Sequence, residues 1–577
     1  MFHLTNISFI YFKTNKAFRK PYQRINIMQL DEKQLDSNKT LAIEKQNNSI
    51  NNNKTDTNVS DTNNTDSKNT GKHEKIIPIW KISILLFFLV FCTILTGMII
   101  WASCSFKRIF LDEILWHLRT SLKGTNPEVI SAAVIAVVAG IAVVLIPSLI
   151  ILLKTRKRGK TGKRVYRGFQ IFTSVILVVG LVIAFFRFNI PTFIKSHFVY
   201  SKFIEQEYVD PGTVEIKFPE QKRNLIIIYV ESMEVTYMDK ANGGAFNRNV
   251  TPELTALARE NEDFSGTSSK INGGIALPFN VWTMGAIFGT TCGLPLKTPL
   301  GNNGMHAKDD FFPGVIALGD ILEDEGYHNV LVMGSDSEFG GCNHYFKSHG
   351  NYDIHDYEYA KEAGLIPNDY RAWWGYEDEK LFEFAKADLT ELAKSDQPFH
   401  MAIQTMDTHN EDGYKCRLCN DDFGKNKYSN VINCSSRMID RFVSWIQEQD
   451  FYENTTIIIM GDHPTMDTDY CDKVPDSYQR KVFTCIINPA VKPVDPDKER
   501  LYATIDIFPT ALAAIGADVE GNRLGLGTNL FSERETLLEE YGQRKVEDKF
   551  NCGSKLMEKM FNGIYKSPAK KSQKEAH

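Results

Sequence analysis

The chain reads as an α/β doubly wound domain preceded by a three-helix transmembrane anchor. Three patterns predict this. Between residues 76 and 190 lie three uncharged runs of membrane-spanning length. After residue 220, short continuous apolar runs alternate with amphipathic helical stretches, as in a parallel sheet covered on both faces. Four of those apolar runs end in an acidic residue or a histidine, and the carboxyl ends of strands are where open α/β sheets bind ligands.

The averages conceal this division. The 577 residues are 43% hydrophobic and 24% charged, with a formal net charge of -5. A mean hydropathy of -0.25 resembles that of an ordinary soluble protein. The near-balanced charge argues against a nucleic-acid partner. Ten cysteines in this length are too sparse for a disulfide scaffold.

Residues 1–75 contain the tract Gln46–Thr70, QNNSINNNKTDTNVSDTNNTDSKNT, which lacks the apolar side chains that offset the entropy of ordering. They read as a disordered polar cytoplasmic tail. Charges interrupt every apolar run in Met1–Leu30, so no signal peptide is read there, and Met28 is a second candidate start.

Residues 76–190 form the anchor, with spans at about 82–102, 129–153 and 168–186. The segment Lys154–Arg167, KTRKRGKTGKRVYR, carries eight Lys or Arg and no acid, so the positive-inside rule places it in the cytoplasm. The second span then runs inward and the third outward. Lys72, Lys75 and Lys81 agree, and the segment after the first span, LDEILWHLRTSLKGTNPE, is outside. Residues 191–219 read as a connector, 220–540 as one large extracytoplasmic domain, and 541–577 as a C-terminal extension with a polar tail.

Within the outer domain, Asn224–Val230, Asn329–Met333, His400–Thr405, Thr456–Met460 and Lys481–Ile487 read as strands. Gly314–Glu325, Asp378–Ala393 and Asn433–Glu448 read as helices. The first four strands lead into Glu231-Ser232, Gly334-Ser335-Asp336, Asp407-Thr408-His409 and Gly461-Asp462-His463. Glu231, Asp462 and His463 make a ligand set for a divalent cation such as Mn²⁺, Zn²⁺ or Mg²⁺. Gly461 and Pro464 allow the turn that would let Asp462 and His463 share one ion. Thr283 falls in the first turn of a short apolar helix, where free N–H groups and the dipole favour an anion. Thr290 and Thr291, two turns on, are the local alternatives. Cys416, Cys419, Cys434 and Cys471 form a group that pairs as disulfides in an oxidising compartment, with a structural zinc as the other reading.

An ordered set of motifs carries a resemblance. NLIIIYVESMEVTYMD (from Asn224), NVWTMGAIFGTTCGLPL, LGDILEDEGYHNVLVMGSDSEFGG, FKSHG, WWGYEDEKLFE, TMDTHNEDGY, MGDHPTM, DIFPTALAAIG and NRLGLGTNLFS together resemble the membrane phosphoglycerol transferases. These comprise the periplasmic-glucan type and the lipoteichoic acid synthases, within the alkaline phosphatase/sulfatase-like superfamily. The likeness covers roughly residues 220–535.

The resemblance implies one divalent metal, of the Mn²⁺ class, held by Glu231, Thr283, Asp462 and His463. It implies that Thr283 takes a glycerophosphoryl group from phosphatidylglycerol, releases diacylglycerol and passes the group to a glycan or polyglycerophosphate. His409 would bind substrate or protonate at it, and Asp336, with Phe339 and Lys347, matches a substrate-side motif. The lipoteichoic acid synthases place a Trp and an Arg where this chain reads GGCNHYF, which favours the glucan-type branch. The expected location is a bacterial-type inner or plasma membrane, multi-pass, with the catalytic domain outside. A phosphoethanolamine transferase is the alternative within the superfamily. A sulfatase would need C-x-P-x-R, and the nearest string, Cys292-Gly293-Leu294-Pro295-Leu296-Lys297, has the wrong spacing. A catalytically inactive membrane-anchored binding protein is the alternative from another class.

Overall fold

The computed structural model describes residues 76–565 and 567, apart from 108, 121–122, 126 and 301–309. The disorder expected for 1–75 lies outside the described residues.

Among the described residues, three helices are long and apolar enough to cross a membrane: α1 (Ile79–Ser105), α3 (Pro127–Thr155) and α4 (Gly159–Arg187). Their flanks expose large apolar side chains such as Phe87, Val143 and Ile171. Small residues let them pack closely: a Cβ on Gly140 would sit 3.1 Å from Thr93 of α1, and one on Gly180 would sit 3.3 Å from Leu95. α4 begins nine residues before the expected span, so most of the basic segment is helical. That basic end lies beside the start of α1, where Ile77 N–H donates to Arg156 O at 3.3 Å. The opposite end of the bundle meets the large α/β domain. There Lys107 N–H donates to Met466 O (2.8 Å) and Asn410 Nδ2 donates to Ser105 O (3.0 Å). Between α1 and α3 the chain forms α2 (Leu111–Arg119), and α5 (Ile190–Phe198) follows α4.

The domain is built on a seven-stranded sheet. Its strands are β1 (Asn224–Val230), β2 (Gly273–Gly274), β3 (His328–Met333), β4 (Asp353–His355), β5 (Phe399–Gln404), β6 (Thr455–Gly461) and β7 (Val482–Ile487), in spatial order β2-β7-β6-β1-β5-β3-β4. β1 is central and parallel to both β5 and β6. The expected wholly parallel sheet is corrected here. β7 runs antiparallel to β6, and β2 antiparallel to β7. A continuous apolar run such as VFTCII marks a buried strand without recording its direction, and the two short edge strands have no apolar run at all.

Strand alternation divides the interior into two cores. Leu225, Ile227 and Tyr229 of β1 face a layer that includes α7 (Thr283–Cys292), α8 (Leu318–Asp324) and α11 (Ile507–Ala514). Ile226, Ile228 and Val230 face α6 (Pro252–Glu260), α9 (Asp378–Leu392) and α10 (Lys427–Gln447). The C-terminal extension docks on the first core through Val546, Phe550, Met557 and Met560.

Candidate active site

The carboxyl ends of β1 and β6 lie side by side, and each delivers ionisable residues to one place. Glu231 follows β1 and Asp462-His463 follows β6. Close approach of the two turns requires Gly461, where a Cβ would stand 1.9 Å from Met233 O. Ser232 takes a left-handed φ of 55°, so its N–H can donate to Asp462 Oδ1 (2.8 Å) while its hydroxyl donates to Glu231 Oε1 (2.7 Å). His463 Nε2 lies 3.6 Å from Glu231 Oε1 and 3.5 Å from Asp462 Oδ2. Its Nδ1 is 3.1 Å from Pro464 O, an acceptor only, so Nδ1 carries the proton and Nε2 presents a lone pair to the cluster.

Thr283 is the first residue of α7. Its hydroxyl stands 3.4 Å from Glu231 Oε2 and 3.5 Å from His463 Nε2. The hydroxyls of Thr290 and Thr291, the local alternatives, donate instead to Ala286 O (2.9 Å) and Ile287 O (2.6 Å) inside their own helix. Cys292, the cysteine of the rival string, is buried against Tyr345, and burial pushes its thiol up to about 12.

All three ionisable residues are buried, and their donor atoms lie within 4.8 Å of one another. Burial, then repulsion by Glu231, pushes Asp462 up to about 7. Burial disfavours the His463 cation, but the attraction of Asp462 and Glu231 outweighs it and raises that pKa. Buried carboxylates held together by a hydrogen-bonded turn are stabilised by a cation among them. The oxygen and imidazole donors fit Mg²⁺, Mn²⁺ or Zn²⁺.

His409 lies on the same rim after β5, with its ring 4.6 Å from that of Trp374. Nδ1 is 2.8 Å from Asn410 O, which leaves Nε2 as the basic nitrogen, and burial pushes the pKa down to about 4. Asp336 lies after β3 but outside the cluster. Lys123 reaches it from the α2–α3 segment at 3.4 Å, and Glu338 N–H donates to it at 3.0 Å. Phe339 sits on this rim, whereas Lys347 is exposed.

Two residues missed in the sequence reading come from α2. Glu113 is buried, its Oε2 has no hydrogen-bond partner among the described residues, and its charge interacts with His463; burial pushes it up to about 7. His117 stacks on Phe339 at 5.1 Å, and its buried Nδ1 likewise has no partner among the described residues. Burial, then His409, pushes it down to about 4. His117, Phe339, Trp374 and His409 thus form one aromatic run along the rim. The four-residue spacing of Glu113 and His117 puts them on one helix face. That face reads as solvent-exposed until the catalytic domain is placed over it.

Comparisons with known proteins bear on the same region. The chain is 34% identical over 322 residues to phosphoglycerol transferase I of Escherichia coli (strain 55989 / EAEC). It is equally similar to the protein of that name from Shigella boydii serotype 18. The match takes in 54% of this chain but spans only 40% of those relatives. Among solved structures, the lipoteichoic acid synthase LtaP from Listeria monocytogenes is similar at 16% identity and TM-score 0.41, over 58% of this chain and 82% of that one. Lipooligosaccharide phosphoethanolamine transferase A from Neisseria meningitidis is similar at 15% identity and TM-score 0.41, over 82% of this chain and 92% of that one. The family model described as Sulfatase matches residues 223–517, from just before β1 to just beyond α11. With that model spanning just over half of its length, the chain belongs to the sulfatase family.

Proposed function

We propose that the chain is a membrane-anchored phosphotransferase. It moves a glycerophosphoryl group from phosphatidylglycerol to an extracytoplasmic glycan or polyglycerophosphate acceptor. The observation that carries this reading is the Thr283 hydroxyl at the first turn of α7, within 3.5 Å of both Glu231 and His463. The similarity to phosphoglycerol transferase I supports the choice of donor.

Glu231, Asp462, His463 and Thr283 are the residues that would hold one divalent cation. When bound, the ion lowers the pKa of the hydroxyl and withdraws charge from a phosphoryl oxygen. Thr283 Oγ attacks phosphorus as the bond to the diacylglycerol oxygen breaks, and that oxygen leaves with a proton. The acceptor hydroxyl then attacks the phospho-threonine, and Thr283 regains its proton. The N-terminal turn of α7 favours the anionic group during both displacements. His409, whose Nδ1 is taken up by Asn410 O, has Nε2 free on the same rim to bind the substrate by a hydrogen bond. The basic segment and the catalytic domain occupy opposite ends of the helical bundle. This supports a cytoplasmic basic end and an outward-facing site.

The test uses the full chain in vesicles of labelled phosphatidylglycerol with Mn²⁺. The wild-type protein releases diacylglycerol, and Thr283→Ala abolishes release while keeping its thermal midpoint. Wild-type-like release by that variant removes the nucleophile assignment. Consumption of phosphatidylethanolamine instead of phosphatidylglycerol removes the donor assignment.

A further inference from the structure

The cysteine group divides in the structure. None of the ten cysteines is bonded to another. Cys471 is buried near Glu234 and Arg480, apart from the others. Cys416, Cys419 and Cys434 converge, with all three sulfurs within 4.8 Å of one another. Cys416 Sγ is 3.6 Å from Cys419 Sγ and 3.8 Å from Cys434 Sγ.

Those two separations carry the argument. A disulfide would bring one pair to about 2.05 Å and leave the third thiol out. Zinc bound to thiolates at about 2.3 Å in a tetrahedron sets neighbouring sulfurs about 3.8 Å apart. Cys416 stands at that spacing from both partners at once.

We propose that Cys416, Cys419 and Cys434 form a second metal centre, a three-thiolate site for Zn²⁺, separate from the Glu231–Asp462–His463 cluster. Cys416 and Cys434 are buried, while Cys419 is partly exposed, so the fourth position opens on the Cys419 side and takes a water. Binding releases the thiol protons and couples the metal to local folding. Cys434 lies two turns into α10, and Cys416 lies seven residues beyond His409. The ion therefore clips the loop that carries His409 to a helix of the second core. This inference stands on the thiol geometry and does not depend on the transferase reading.

The test is metal analysis of the full-length protein purified in detergent with Zn²⁺ supplied. Two zinc equivalents per chain are expected. Asp462→Asn loses one of them, and Cys416→Ser and Cys434→Ser lose the other. Co²⁺ substituted at the site gives thiolate-to-metal charge-transfer absorption that Asp462→Asn retains. Where the serine variants fail to fold, thiol alkylation of the wild-type protein decides: a chelator unmasks three thiols together. A disulfide among the three in non-reduced protein would overturn the proposal. So would zinc content unchanged by the cysteine substitutions, or alkylation indifferent to the chelator.

Discussion

Glu234 shows how single residues hold the candidate site open. Its carboxylate is fully buried next to the β1 turn and accepts from Arg480 Nε (2.8 Å), Thr465 N–H (2.9 Å) and Thr236 Oγ1 (2.7 Å). Burial raises its pKa, but Arg480 and these donors outweigh burial and leave it below the usual carboxylate range. The pair ties the turn after β1 to the segment after His463. Arg480→Ala leaves a buried carboxylate uncompensated and should cost about 3–5 kcal/mol. The pH dependence has a fixed sign. Because the folded pKa is depressed, the stabilising contribution is present above the unfolded value and is lost as pH falls through the folded value. Thermal midpoints of wild type and Arg480→Ala at pH 7 and pH 4 measure this, and the gap between them should narrow at the acidic pH. At this scale the sequence was informative for some residues only. Glu231, Asp462 and His463 end continuous apolar runs, so their place on the rim could be read directly. The roles of Ser232 and Glu234 depend on a left-handed turn and a distant arginine, which leave no local pattern.

At the scale of elements, α2 joins the anchor to the catalytic rim. Trp116 Nε1 donates to Gly340 O (3.1 Å), and Lys107 Nζ pairs with Asp472 (2.7 Å) on the adjoining segment. These contacts bring Nδ1 of His117 and Oε2 of Glu113, which have no partner among the described residues, to the rim, where on the proposed function a substrate would satisfy them. His117→Ala is expected to lower kcat/KM about tenfold, equivalent to about 1.4 kcal/mol. The metal content of the Glu231–Asp462–His463 cluster should stay unchanged. Kinetics and metal analysis on one preparation check both statements, and unaltered kcat/KM would show that α2 is only a strut. The long elements were legible because their length and periodicity are local properties. The five long strands and α9 fall within a few residues of expectation, whereas α4 and α10 begin well before the expected starts at 168 and 433. The antiparallel sense of β7 and the strands at Gly273–Gly274 and Asp353–His355 were not, since pairing with a neighbour defines them.

For the whole molecule, the sheet sets one orientation and the bundle another. The sheet gathers its ionisable residues at one edge. The bundle presents its basic residues at one end and the catalytic domain at the other. Composition alone could separate anchor from domain, yet it gave no sign that they share a wall at α2. The described C-terminal helices add a further tie, since Lys297 Nζ donates to Cys552 O (2.5 Å) as well as to Phe550 O from its buried position. Burial pushes Lys297 down to about 7.

Asn410 Nδ2 donates to Ser105 O, and since Asn410 adjoins His409 and Ser105 is the last residue of α1, this bond ties the segment that carries His409 to the end of that helix. On the proposed function, the height of the site above the bilayer is fixed, and the donor lipid is met by diffusion in two dimensions. Turnover should then follow the mole fraction of phosphatidylglycerol in the vesicle. Diluting the donor with inert lipid at constant total lipid lowers the rate, whereas adding vesicles of the same composition leaves it unchanged. The acceptor still arrives from solution in three dimensions, so the two substrates answer to different measures of concentration.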